Sequence, residues 1–175
     1  MKRNLLLTTL VFSGLLLCAA AAQESQANRM TVPTADHSFA MKAAQGGMAE
    51  VELGKLATEK GQNQQVKAFG QRMVDDHTKA NDDLKSIAAN KSINLPTSLD
   101  AKDQSTKDRL SKLSGAEFDK AYMRDMVNDH EKDVAEFRKE ADHGQDPDLK
   151  AFAHKTLPVL EEHLRMAKEA DAAVK

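Results

Sequence analysis

The sequence predicts an all-α protein, a ferritin-like four-helix bundle with a long crossover link between helices 2 and 3. Three observations carry this expectation. The 175 residues are 41% hydrophobic and 30% charged but 4% aromatic, with 8 Gly, 4 Pro and no Trp, too few turn formers and β-rich runs for a sandwich or barrel. Apolar residues recur at steps of three and four along four long segments, the spacing of a helix stripe facing a core. Two of the three connections between those segments are short, as in antiparallel helical hairpins, and the middle one is long enough to run the length of a bundle. The formal net charge of −2 supplies no basic field, so nucleic acid is not an expected partner.

In chain order, residues 1–22 read as a signal peptide. Lys2 and Arg3 form its positive start, Leu5 to Leu17 its apolar stretch, and Ala20 and Ala22 the small pair that a signal peptidase recognises. The apolar stretch is shorter than the ~20 residues a membrane span needs. Cleavage leaves a periplasmic or secreted chain without a transmembrane segment. The alternative is a lipid anchor through Cys18, although Leu17 stands where a lipoprotein signal has a small residue. Cys18 is the single cysteine, so the cleaved chain has neither thiol nor disulfide and depends on packing. Residues 23–33 are polar and aperiodic, a flexible leader, and residues 34–175 form the domain.

Each helix has its own start signal. Thr34 is placed to cap the first, which Gly61 ends, and Asn63 to cap the second. Ser114-Gly115-Ala116-Glu117 has the form of a capping box opening the third. Asp146-Pro147 combines an N-cap with proline at the first helical position of the fourth. Within the link from Lys91 to Ser114, Pro96 breaks the chain, while Leu99, Thr106, Leu110 and Leu113 have the spacing of a short amphipathic helix. The small-residue face Ala40, Ala44 and Gly47 suits either a neighbouring helix or a second chain, which leaves a homo-oligomer or an envelope partner open.

Each core stripe carries one prominent polar side chain among apolar neighbours: Glu50, His77, His130 and His163. Counted from the proposed caps, all four lie near mid-helix, within ~4.5 Å of axial rise. Groups at mid-helix meet at one level whether neighbouring helices run parallel or antiparallel. A buried carboxylate or imidazolium is costly unless paired or bound to a cation. Three neutral imidazoles and a carboxylate make a four-ligand set for a divalent transition metal such as zinc, iron, manganese or copper. The acidic residues just before the histidines, Asp76, Asp129 and Glu162, are candidates to orient an imidazole on a neighbouring helix. The competing reading is a hydrogen-bonded polar layer that fixes helix register without metal. His37, His143 and His154 fall off the stripes and read as surface residues.

Other chemistries lack their signatures. The Glu-x-x-His spacing of di-iron bundles occurs at Glu140-Ala141-Asp142-His143 alone, beside a loop, which argues against a standard ferroxidase centre. No Cys-x-x-Cys-His stands for haem attachment, and no nucleophile elbow for a hydrolase. Met73, Met126 and Met166 lie one turn from the histidines, where thioethers suit copper or simply fill the core. Pro158 is expected to kink the fourth helix, and Gly46-Gly47 to let helices approach closely.

The segments Val66-Lys67-Ala68-Phe69-Gly70-Gln71-Arg72-Met73-Val74-Asp75-Asp76-His77, Phe118-Asp119-Lys120-Ala121-Tyr122 and Thr156-Leu157-Pro158-Val159-Leu160-Glu161-Glu162-His163-Leu164 resemble the bacterial exported family called domain of unknown function 4142. The resemblance runs from about Ala35 to Ala173. It implies a ferritin-like bundle and export, under the usual label of predicted outer membrane protein, and implies no activity. Residues and resemblance together predict an exported bundle that binds a transition metal through its Glu/His layer, or a non-enzymatic envelope or stress-adaptation protein whose layer is structural. An enzyme is the less favoured outcome.

Overall fold

The computed structural model describes Val32–Lys175; the expected signal peptide, Cys18 and most of the leader fall in Met1–Thr31, outside the described residues. Five helices follow in order: α1 (Thr34–Lys60), α2 (Gln64–Asn90), α3 (Ala101–Ser111), α4 (Gly115–His143) and α5 (Pro147–Ala173). No strand occurs among the described residues. The short amphipathic helix expected in the link is α3, which Asp100 caps and which buries Leu110.

Two start signals act through their side chains. Asn63 accepts from the Gln65 N–H, and Asp146 accepts from the N–H groups of Asp148 and Leu149. Two others differ. Thr34 is the first residue inside α1, and Pro33, with no side chain to offer, takes the cap position. Ser114 does occupy the cap of α4, but its hydroxyl caps nothing. Gly115 turns the chain there with φ of +59°, a left-handed conformation that suits glycine.

α1 packs on α2 and α4 on α5; α2 also packs on α5, and α1 on α4. Ion pairs give the directions. Lys42, early in α1, meets Glu136, late in α4, and Lys155, early in α5, meets Asp83, late in α2. Both pairs are therefore antiparallel, and α2 and α4 run the same way. The link between them returns along the molecule, with α3 lying against α1 and α4 and Lys107 bonded to Glu52.

The two hairpins clasp each other reciprocally. Asp36 of α1 accepts from the backbone N–H groups of Gln145 and Asp146 in the α4–α5 turn. Asp119 of α4 accepts from those of Gln62 and Asn63 in the α1–α2 turn, at 3.0 and 2.8 Å. Gly61 and Gly144 end α1 and α4 with nearly identical angles, φ −58°, ψ 141° and φ −56°, ψ 142°. Asp36 and Asp119, Gly61 and Gly144, Asn63 and Asp146, and Phe69 and Phe152 are each separated by the same number of residues, so the hairpins repeat one plan.

The core falls into two apolar clusters. One gathers Phe39, Leu84, Phe137, Phe152 and Leu160; the other gathers Leu53, Phe69, Met73, Leu110, Tyr122 and Met126. Ala40, Ala44 and Gly47 are buried within the chain, so this small-residue face is occupied by the fold itself and not left for a second copy. Among the described residues, no helix is long and apolar enough to cross a membrane.

Candidate metal centre

Mid-helix position brings His77 from α2, His130 from α4 and His163 from α5 together, with exposures of 6%, 0% and 0%. Their ring centroids are 5.9 Å apart for His77 and His130, and 5.4 Å for each other pair. One nitrogen of each ring lies within 4.8 Å of the others.

The far side of two of the rings is fixed. His130 donates from Nδ1 to the Met126 carbonyl at 2.9 Å, and a carbonyl oxygen only accepts, so the lone pair sits on Nε2. His163 Nε2 lies 2.9 Å from an Asp76 oxygen, leaving Nδ1 as the other nitrogen of that ring. The Asp76 carboxyl is raised by burial, but hydrogen bonds from Arg72 and His163 outweigh this and hold it below its ordinary range. Such carboxylate and carbonyl partners are what orient metal-binding imidazoles. The nitrogens left over, Nε2 of His77, Nε2 of His130 and Nδ1 of His163, are all buried without a partner.

Burial also keeps the rings uncharged. It pushes His77 well below the ordinary histidine value, helped by the other two imidazoles. It takes His130 down to about 4, with His163 adding to the shift. It lowers His163 as well, against the pull of Asp76. Neutral imidazoles with free lone pairs are ligands rather than cations.

Glu50 is buried but stands elsewhere. Its Oε1 is 3.7 Å from His130 Nδ1, the nitrogen already committed to Met126, and too far for a hydrogen bond. Burial raises its carboxyl well above the ordinary range, with Asp133, Asp129 and Asp103 adding to the effect. Glu50 shares the level of the histidines and faces the wrong side of His130. Of the three acidic neighbours, Asp76 alone reaches an imidazole. Asp129 pairs with Lys132 at 2.9 Å and Glu162 with Arg165 at 2.6 Å, both directed outward. Met126 contributes its carbonyl. His37, His143 and His154 are exposed.

Asp133 was not among the candidates. It is half-buried, and with His77 it lines a narrow cavity of about 20 Å³. Burial, then Asp129, raises its carboxyl to about 7. The hairpin repeat is the signal that finds it, because Asp133 is the counterpart of Glu50.

A family model described as "Domain of unknown function (DUF4142)" matches residues 19–170. No curated protein matches the chain. Among solved structures, a DUF305 fragment from Deinococcus radiodurans is similar, with a TM-score of 0.71 at 12% identity over 81% of this chain and 98% of that one. At that identity the likeness concerns the helical fold alone.

Proposed function

The chain belongs to the DUF4142 family, whose description names no activity, and from its buried histidines we propose that it binds a single transition-metal ion through His77, His130 and His163. The observation that carries this reading is three buried imidazoles with one nitrogen of each within 4.8 Å of the others, each ring also keeping a buried nitrogen without a partner. Each buried polar atom left without a partner costs ~1–3 kcal/mol. A polar layer serving structure alone would join the rings to one another or to Glu50, and these nitrogens bond to neither. A metal ion satisfies all three at once.

Three neutral imidazoles suit zinc, copper or iron and leave a coordination position for water or a small anion. Asp76 supplies one negative charge through His163. The same reading takes α1, α2, α4 and α5 as a ferritin-like four-helix bundle, supported by the antiparallel pairs and the returning link. It places the chain in the cell envelope on the strength of Lys2, Arg3 and the apolar run after them. Metal holding or buffering there is the proposed role, with no turnover assigned.

Elemental analysis and zinc titration test it. Wild type should hold one equivalent, Glu50→Gln should hold the same, and His130→Ala should lose it. Wild type unable to take up zinc, copper, iron or manganese would return the layer to a structural role. Loss of binding in Glu50→Gln would restore Glu50 as a ligand.

A further inference from the structure

We propose that a metal cation reaches the three histidines through the cavity beneath the α1–α4 seam, with the Asp133 carboxylate as its first contact. The inference rests on the metal-binding reading above and adds to it a route and a receiving residue. The cavity of about 20 Å³ is lined by Gly46, Gly47, His77, Ala80, Asp133 and Leu160, among others. That is room for about one water-sized particle, enough for a cation shedding its hydration shell. His77 forms part of the wall, and its Nε2 is buried without a partner. At the seam, a Cβ built on Gly46 would lie 4.0 Å from Asp133 Oδ1, so the carboxylate stands over bare backbone. A bulkier residue at 46 would fill the gap.

The hairpin repeat explains why there is a cavity. The counterparts of His130, His163 and His77 in the opposite hairpin are Gly47, Ala80 and Leu160, and all three line it. Two positions that hold imidazoles in one hairpin hold glycine and alanine in the other; the Asn81 side chain fills part of the space over Gly47, and the cavity is what remains beside it. Counterpart to Glu50, which faces His130, is Asp133, which faces that space. Asp129 and Glu136 add negative charge around Asp133, which Lys132 and Lys102 partly offset. A carboxylate at the mouth of a low-dielectric channel raises the local cation concentration and the association rate.

Stopped-flow mixing with cobalt(II), read by the visible absorbance of the histidine-bound ion in mildly alkaline buffer, tests the route. Asp133→Asn should load roughly three- to tenfold more slowly than wild type and reach the same final cobalt content. Gly46→Leu should load more slowly still. Asp142→Asn, an exposed acid at the far end of α4, should load at the wild-type rate. Should Gly46→Leu lose its helical circular dichroism, the Asp133→Asn rate decides alone. Wild-type rates in both Asp133→Asn and Gly46→Leu would overturn the route while leaving the metal site standing. A wild-type chain that takes up no cobalt would overturn the metal-binding reading and the route together.

Discussion

His130 is fully buried, with its Nδ1 proton given to the Met126 carbonyl. Its value of about 4 against an ordinary 6.5 makes it a measurable pH probe. At neutral pH the ring is largely uncharged in both folded and unfolded chains and contributes little pH dependence. As pH falls below about 6.5 the unfolded chain takes up a proton that the buried ring refuses until about 4, so the folded state loses stability across that window. Glu50, Asp133 and Glu140, all raised by burial, tilt the opposite way, because their favourable contribution is lost as pH rises. The test is therefore a difference: urea unfolding of metal-free wild type and His130→Gln from neutral to acid pH. Wild type should lose up to about 3 kcal/mol relative to the variant. At this scale the sequence revealed which residues share a level, because counting along a helix gives height. It did not reveal which nitrogen of a ring faces which neighbour, and so Glu50 read as a ligand. That facing depends on the Met126 carbonyl and on Asp76 from another helix, neither encoded in the stripe.

α1 and α2 approach closely at Gly54 and Gly70. A Cβ on Gly70 would lie 2.6 Å from the Ala57 Cβ and 2.8 Å from the Gly54 carbonyl oxygen, with nothing flexible to give way. Helix propensity alone favours Gly70→Ala by ~1 kcal/mol. Overpacking against backbone opposes this with a cost of ~1–3 kcal/mol, and we expect it to win. Thermal melts should place Gly70→Ala below wild type; an increase would mean that the hairpin can open without penalty. The helices themselves were legible because Asn63, Gly61 and Asp146 act within a turn of their own position. The failures have local causes too. Ser114 makes no capping bond beside Gly115, whose φ is positive, and Pro33 took the position before Thr34. The clasp by Asp36 and Asp119 was hidden, since it joins residues far apart in the chain.

Across the whole molecule, the histidines lie between two apolar clusters contributed by all four long helices, so a ligand there ties α2, α4 and α5 together. Metal at about a hundredfold above its dissociation constant should add ~2.7 kcal/mol. For a chain of this size that corresponds to a rise of roughly 5–10 °C in melting temperature. Differential scanning calorimetry with zinc and with chelator measures it, and His130→Ala should show no such rise. Connectivity at this scale was legible from loop lengths alone, since a long link between two short turns permits α2 and α4 to run the same way. The placement of Asp133 was not, because it depends on how the hairpins face each other. Their facing has a consequence in parity. Two identical hairpins related by a two-fold axis offer every off-axis ligand twice, hence in even numbers. One covalent chain is released from that rule: it keeps a histidine at 130 and a glycine at 47, a histidine at 163 and an alanine at 80, a histidine at 77 and a leucine at 160. Three is a number of ligands that a chain reaches only by letting its two halves differ.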